Sequence, residues 1–155
     1  MSNLSSPSRD REDAFWWQGG LYRMKARAAD TGGALGLVEA SLYRGFGPPL
    51  HVHHREDEAF YVIEGEIRFR QADQEFVGAP GTWVWGPREV PHTFKVESES
   101  ARALILVTPG GFERMFELGG VPVSESPEPP VQEYDRDHTV SSSRQFGFEV
   151  IGPQL

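Results

Sequence analysis

The stretch GFGPPLHVHHREDEAFYVIEG, residues 45–65, contains the spacing that decides the fold of this chain. One residue separates His51 from His53, and four residues separate His53 from Glu58. Residues two apart on a β-strand point to the same side of the sheet, so both imidazoles can converge on one point. Glu58 begins the next predicted strand, where it shares a face with apolar residues. The pattern predicts a carboxylate and two imidazoles on the inside of a sheet.

A third histidine, far along the chain, is also predicted to point into the core. His92 shares a strand face with Phe94 and Val96. An unpaired ionised carboxylate inside a core is very costly, so an inward Glu58 needs a partner or must take up a proton. One divalent cation satisfies the carboxylate and the imidazoles together, and Fe, Mn, Co, Ni, Cu and Zn all accept such ligands. The candidate metal ligands are therefore His51, His53, Glu58 and His92.

Neighbouring polar residues give no such signal. His54 faces opposite to His51 and His53 and is expected to be solvated, and the lone His138 lies in the C-terminal part of the chain. A run of three charged residues is predicted to form an exposed turn: Arg55, Glu56 and Asp57.

Residues from about 14 to 109 are rich in β-branched and aromatic residues interrupted by glycine and proline. Glu64-Gly65 is predicted to be a hairpin connection, because glycine can take positive φ. Many short strands with almost no helix between them indicate an antiparallel sandwich or barrel. The predicted strands cover residues 21–27, 35–44, 58–63, 66–70, 82–85, 92–97 and 101–107, with turns at 30–33 and 72–74.

The two ends of the chain have a different composition. Residues 1–13 are Ser-rich and charged, so they are expected to be disordered and are no secretory signal. The Pro/Ser/Glu-rich residues 122–130 are interpreted as an extended linker over the surface. The C-terminal part is further predicted to contain a short helix over 112–118, a second helix over 135–145 and a last strand over 146–151.

Composition narrows the class of protein. A chain of 155 residues has the length of one domain, and the absence of cysteine excludes disulfides and thiolate ligands and fits the cytoplasm. The net charge of −8 argues against nucleic acid and anionic membranes, which attract cationic surfaces. The expected partner is a small molecule or another protein.

The spacing resembles the first motif of the cupin superfamily at every defined position, from Gly45 through the two histidines and Glu58 to Gly65. A second, looser motif is formed by Gly81, Pro87, Glu89 and His92. It departs from the family pattern at Glu89, where glycine is usual, and at Val96, where asparagine is frequent. TPGGFERMFELGG, residues 108–120, is similar to the segment after the barrel in small bacterial quercetin 2,3-dioxygenase-like cupins, and FGFEVIGP, residues 146–153, to the last strand of small actinobacterial cupins.

The resemblance implies an all-β fold, a cupin double-stranded β-helix or jelly-roll barrel over residues 14–109. Residues 110–155 would form a short C-terminal helix and an extended tail that packs on the barrel, and two chains would form a homodimer. One divalent metal ion per chain would be bound through imidazole nitrogens and the Glu58 carboxylate. Four protein ligands leave one or two positions on the ion for water, O₂ or substrate.

The resemblance also implies a function. The leading hypothesis is a metal-dependent dioxygenase acting on a small phenolic or enolisable compound, with Glu58 as the base that takes the substrate hydroxyl proton. The alternatives are a metal-dependent isomerase, cyclase or lyase, and a small-ligand-binding protein without catalysis. The residues expected to line the substrate pocket are Phe60, Phe94, Trp83 and Trp85.

Overall fold

The computed structural model describes residues 13–130 and 135–155. The predicted disorder of residues 1–13 therefore falls outside the described residues, except at Asp13. The Asp13 carbonyl accepts a hydrogen bond from the Met24 backbone N–H at 2.8 Å, and its carboxylate pairs with Arg27 at 3.1 Å. No helix in the described part of the chain is long and apolar enough to cross a membrane.

Two antiparallel sheets form the framework of the described chain, as the sequence predicted. The seven-stranded sheet contains, from edge to edge, β11 (Val121–Pro122), β1 (Ala14–Trp17), β2 (Gly20–Ala26), β3 (Gly36–Tyr43), β10 (Ser100–Thr108), β5 (Asp57–Glu64) and β8 (Trp83–Gly86). The five-stranded sheet contains, in the same way, β12 (Phe148–Gln154), β4 (Pro49–His53), β9 (His92–Val96), β6 (Ile67–Gln71) and β7 (Gln74–Gly78).

The core forms where the inward faces of both sheets meet. Buried and partly exposed residues alternate along β3 and β10, which is the period of a strand with one face in the core. Val38 lies opposite Ile105, and Ile105 lies opposite Phe60 on the next strand, so each layer of the core crosses three strands. Residues from the five-stranded sheet, including Ile67 and Phe94, belong to the same cluster.

The predicted hairpin at Glu64-Gly65 is wrong, because β5 and β6 do not pair with each other and lie in different sheets, so this turn connects the two sheets. Gly65 adopts φ +79, which L-residues rarely take. A Cβ atom at this position would lie 2.3 Å from the Ser100 carbonyl oxygen. Glycine is therefore required here by backbone conformation and by the close approach of a neighbouring strand.

Three strands were not predicted from the sequence. β1 and β7 were left without assignment, and β11 lies at the start of the predicted linker, where Pro122 pairs with Phe15. The interpretation of 122–130 as a linker is therefore wrong at its first residue. Proline fits an edge strand because only one side of its backbone must be paired, and β11 is such an edge.

Two helices follow the barrel, close to the predicted positions: α1, Arg114–Gly119, and α2, Arg136–Phe146. The Asp135 carboxylate caps α2 by accepting a hydrogen bond from the His138 N–H at 3.0 Å. Gly147 ends the helix in the left-handed conformation with φ +70. The chain then enters β12, which pairs with β4 and thereby joins the C-terminal segment to the strand that carries two of the candidate ligands.

Candidate metal centre

The structure brings the four candidate ligands together from three strands. His51 and His53 are on β4, and His92 begins β9 directly opposite His51. Glu58 lies near the start of β5, in the other sheet. All four residues are buried, so the site lies between the two sheets.

The ligand atoms of these residues are close enough to share one ion. One ligand atom from each lies within 4.8 Å of the others. Glu58 Oε2 is 2.9 Å from His92 Nε2 and 3.1 Å from His53 Nε2. The strand period has turned every one of these side chains inward, as the sequence pattern indicated.

The Nδ1 atom of each imidazole is hydrogen-bonded to an acceptor outside the ligand cluster. His51 Nδ1–H donates to the Pro49 carbonyl at 2.8 Å, and His92 Nδ1–H donates to the Val90 carbonyl at 3.2 Å. His53 Nδ1–H donates to the Glu56 carboxylate at 2.5 Å. Such contacts fix the ring orientation and leave the Nε2 lone pair for a metal ion.

Glu56 is a residue whose role the sequence reasoning missed. It was predicted to lie in an exposed turn with Arg55 and Asp57, but its side chain is 3% exposed and holds His53. The chain bends between β4 and β5, and this bend places a carboxylate three residues after His53 against its ring. A run of charged residues in the sequence does not show which of them is buried, because the geometry of the turn decides which of the three side chains points inward.

Charges and burial shift the pKa values of the cluster in opposite directions. Burial, together with the nearby His92 and His53, lowers the pKa of His51 to about 3. Burial alone would lower the pKa of His53, but the charge of Glu58 and the hydrogen bond to Glu56 outweigh it and raise that pKa to about 9. Burial would raise the pKa of Glu58, yet the His53 charge and the hydrogen bond with His92 hold it well below its usual range.

These features fit a divalent cation. His53 Nε2 is buried and, among the described residues, has no hydrogen-bond partner of suitable geometry, although Glu58 Oε2 is near it. Buried polar atoms without partners are rare in native proteins and point to a missing ion or ligand. Three imidazoles and one carboxylate are suitable ligands for several divalent transition metals.

A cavity of about 50 Å³ adjoins the cluster and is enclosed mainly by apolar side chains. His51 and Glu58 form part of its wall. The other walls come from both sheets and from the C-terminal segment, and they include Trp17, Tyr22, Phe94, Phe112, Phe116 and Phe148. A ligand in this cavity would therefore reach two of the four candidate metal ligands.

The four aromatic residues predicted to line the pocket have different positions. Phe94 lines the cavity, while Phe60 is buried in the core between Phe69 and Phe94 and is not part of the cavity wall. The prediction is wrong for Trp83 and Trp85, which are 55% and 44% exposed. On β8 it is the intervening residue, Val84, that points inward, so both tryptophans lie on the outer face.

Phe112, Phe116 and Phe148 are cavity residues that the sequence reasoning assigned to C-terminal elements and not to the site. Phe112 packs against the His53 ring with a centroid distance of 4.6 Å, and Phe148 lies 5.9 Å from the His51 ring. In the sequence, they are recognisable only as apolar residues that follow the barrel. Their contribution depends on how α1, the residues just before it and β12 pack against the barrel.

Glu89, at the departure from the second motif, retains the backbone conformation that glycine would favour. Its φ is +67, and its N–H donates to the His53 carbonyl at 2.8 Å. Its carboxylate accepts a hydrogen bond from His54 at 2.9 Å, and His54 also contacts Glu149 at 3.2 Å. His54 is exposed and faces away from the cluster, as expected. His138 donates from Nε2 to the Gly119 carbonyl at 3.2 Å, outside the metal cluster.

An antiparallel barrel with three histidines and one glutamate buried between its sheets defines a class of metal-binding β-barrel. The family model described as a cupin domain matches residues 40–109, which include all four candidate ligands. Over this segment the chain is similar to the cupin superfamily, as the motif spacing indicated, and the expected all-β fold is confirmed.

Two similar curated proteins are both quercetin 2,3-dioxygenases. The chain is 28% identical over 102 residues to the enzyme of Bacillus subtilis strain 168 and 26% identical over 117 residues to that of Aspergillus japonicus. The matches cover 66% and 71% of this chain but 30% and 33% of the relatives, so the chain spans about a third of their length.

Two solved structures have a similar fold. The structure of KdgF from Halomonas sp. matches 69% of this chain and 96% of its own, with a TM-score of 0.61 and 19% identity. An RmlC-like cupin from Shewanella frigidimarina NCIMB 400 matches 71% of this chain and 96% of its own, with a TM-score of 0.60 and 19% identity. At this identity the likeness concerns the fold alone.

Proposed function

We propose that this cupin is a metal-dependent dioxygenase that acts on a small phenolic or enolisable compound. The observation that carries the proposal is the buried cluster of three histidines and Glu58 beside an apolar cavity. The two quercetin 2,3-dioxygenase relatives support the reaction class, although they match only part of their own length.

The four ligands would bind one divalent ion. When bound, this ion would supply Lewis acidity and, if it is redox-active, a route for electrons to O₂. The cavity wall is mainly apolar, so a ligand that displaces water from it would strengthen the electrostatic interactions between its own atoms and the cluster. Fe, Ni, Mn, Co and Zn all suit these ligands, and the sequence contains no cysteine that would favour another set.

Glu58 would have a second role as the proton acceptor. Its carboxylate forms part of the cavity wall beside the histidines. A phenol or an enolisable carbonyl compound that enters the cavity therefore meets a carboxylate at the metal-binding end. Transfer of the substrate proton to Glu58 leaves an electron-rich anion, the form that reacts with O₂.

Oxygen uptake by the metal-loaded protein tests this proposal. The protein is loaded separately with each of the five metals and supplied with flavonols, 1,3-diketones and catechols. We expect uptake with at least one metal and substrate, and loss of more than 90% of it in Glu58→Gln. His54→Ala is the matched control, because His54 is exposed and outside the cluster, and it should retain the parent rate.

The same assay separates the alternatives. Substrate turnover that continues without air would overturn the dioxygenase and favour an isomerase, cyclase or lyase. Tight binding of these compounds with no turnover under any metal would also overturn it and favour a ligand-binding protein. We further expect the protein to be cytoplasmic. We also expect it to form a homodimer, which sedimentation of the purified chain would test.

A further inference from the structure

A second cavity, the outer cleft, opens to solvent beside the metal centre. It has a volume of about 350 Å³, which lies within the range of small-molecule sites. Its wall combines the turn between β4 and β5, the residues before and within α1, and the last residues of α2. Phe112 belongs to this wall and also to the wall of the apolar cavity, so one side chain borders both spaces. The proposed reaction makes no use of the outer cleft.

Two arginines line the outer cleft without a carboxylate partner. Arg55 lies in the turn between β4 and β5, and Arg114 is the first residue of α1. Neither guanidinium forms an ion pair or a hydrogen bond with any residue that the structure describes. The chain has 23 acidic and 15 basic residues, so carboxylates are in excess. Five other arginines do pair with a carboxylate: Arg23, Arg27, Arg68, Arg88 and Arg102. The donors of Arg55 and Arg114 thus stay available for an anion from outside the chain.

Helix stability explains the position of only one of these arginines. A Cβ atom at Gly147 would lie 2.5 Å from Arg55 Nε, so the Arg55 side chain lies directly against the backbone at the end of α2. A cation is favourable near the C-terminus of a helix. Arg114 instead begins α1, where the helix dipole favours acidic side chains. A shared role in binding an anion accounts for both positions.

The third charged group in the wall limits the charge of this anion. Glu56 lines the cleft, and its carboxylate accepts the hydrogen bond from His53. Two guanidinium groups and one carboxylate give the described wall a net charge of +1, which one monoanionic group neutralises. Arginine binds carboxylates through two parallel hydrogen bonds. A phosphate group carries close to two negative charges at neutral pH and would be repelled more strongly by Glu56. A carboxylate therefore fits better.

The rest of the wall indicates what the carboxylate is attached to. Phe112 and Phe146 contribute aromatic rings, and Leu118 contributes an aliphatic side chain that is 53% exposed. Burial of apolar surface against these side chains favours a ligand with an apolar body. A cavity of about 150 Å³ accommodates benzene, so the outer cleft has room for a body of one ring.

We propose that the outer cleft binds a small organic carboxylate whose anionic group is held by Arg55 and Arg114. The apolar body of this ligand lies against Phe112, Phe146 and Leu118. The site is separate from the metal centre and does not depend on the proposed dioxygenase reaction.

Calorimetric titration with benzoate tests this site. The comparison compounds are benzamide, which keeps the ring but is neutral, acetate, which keeps the charge without the ring, and inorganic phosphate. We expect benzoate to bind more tightly than each of the three. Arg114→Gln and Arg55→Gln should each weaken benzoate binding roughly 5-fold and benzamide binding less than 2-fold. Arg114→Gln carries the test even if Arg55→Gln loosens the end of α2.

Arg136→Gln is the matched control. Arg136 is an exposed arginine of α2 outside the wall of the cleft, so its loss changes the net charge equally. It should retain the benzoate affinity of the parent within 2-fold. Unchanged benzoate affinity in both Arg55→Gln and Arg114→Gln would overturn the proposal, as would an equal loss in Arg136→Gln. Phosphate binding tighter than benzoate binding would overturn the assignment to a carboxylate.

A carboxylate can also bind a metal ion, so the titrations compare zinc-loaded with chelator-treated protein. Equal benzoate affinity in both, reduced by Arg114→Gln, supports the outer cleft as the site. Benzoate binding that requires zinc would overturn it and place the ligand at the metal centre. These readouts involve no oxygen uptake, so the dioxygenase proposal and the carboxylate site can fail independently.

Discussion

Individual residues of the cluster have separable effects on metal content. The purified parent should contain close to one metal ion per chain. His53→Ala should lose most of it, because it removes an imidazole that faces Glu58 at 3.1 Å. Glu58→Ala should lose less, since the three imidazoles remain, and His54→Ala should lose none. Metal analysis of the four proteins measures this, and equal contents in all of them would contradict the assignment.

Glu56 acts on the ion only through His53. Its carboxylate accepts the Nδ1–H of His53 and orients the ring. Glu56→Ala should therefore weaken metal affinity roughly 10- to 100-fold, a usual effect of removing a group that orients a ligand. Glu56→Gln retains an acceptor oxygen and should weaken it less. Competition with a chelator of known affinity gives these values, and unchanged affinity in Glu56→Ala would disprove the orienting role.

Tyr22 should make stability depend on pH in the alkaline range. Its folded-state pKa lies above the unfolded value near 10, so folding keeps the phenol protonated. This contribution is complete below pH 10, and it is lost progressively as the pH rises above 10 and the unfolded chain loses its proton. The loss approaches about 1.4 kcal/mol per pH unit for one group.

Tyr22→Phe lacks this group, so its free energy of unfolding should fall less steeply than that of the parent between pH 10 and 11.5. Urea titrations at several pH values compare the two slopes. Tyr43→Phe is the control, because burial also raises the pKa of Tyr43, although this side chain is partly exposed. Parallel curves for parent and Tyr22→Phe would show that Tyr22 does not titrate in this way.

At the scale of the element, the turn between β5 and β6 depends on Gly65. Alanine at this position meets a backbone oxygen at 2.3 Å and must also take φ +79. Gly65→Ala should lower the free energy of unfolding by roughly 2–4 kcal/mol. Gly81→Ala has φ +92 but nothing within 4 Å of the added Cβ, so it should cost only about 1 kcal/mol.

Chemical denaturation of the two variants separates the clash from the backbone strain. The difference between them should exceed about 1 kcal/mol, because the neighbouring strand cannot move away without breaking the β5–β10 ladder. Equal losses would mean that backbone conformation alone explains the requirement for glycine at Gly65.

On the scale of the whole molecule, the metal centre joins the two sheets. Its ligands come from β4 and β9 in one sheet and from β5 in the other. A metal that binds only the folded chain should therefore stabilise the entire barrel. At a free metal concentration of 100 times the Kd, the gain is about 2.7 kcal/mol, which raises the Tm of a domain of this size by roughly 5–11 °C.

Thermal unfolding with and without metal, and after removal of the metal with a chelator, measures this gain. The Tm of the parent should rise with metal concentration and return to its starting value after chelation. His53→Ala should show a much smaller rise. A parent Tm that does not respond to any of the five metals would contradict metal binding by the folded state.

Local periodicity and spacing were sufficient for the fold and the ligands. The alternation of side chains along a strand is a property of the backbone itself, so the inward direction of His51, His53, Glu58 and His92 follows from the order of residues. The positive φ expected at Gly65 was correct, but the hairpin was not, because sequence alone does not show that the chain passes from one sheet to the other at this turn. The resemblance to the cupin superfamily followed from the spacing of the candidate ligands.

Only the tertiary structure decided what surrounds the ligands. Glu56 contacts His53 because the turn between β4 and β5 bends its side chain toward the ring. Trp83 and Trp85 face outward because the register of β8 places Val84 inside. The cavity walls from Tyr22, Phe112 and Phe148 depend on contacts between segments more than 25 residues apart. Periodicity describes which face of its own element a residue occupies, whereas the neighbour it meets is determined by how distant elements pack together.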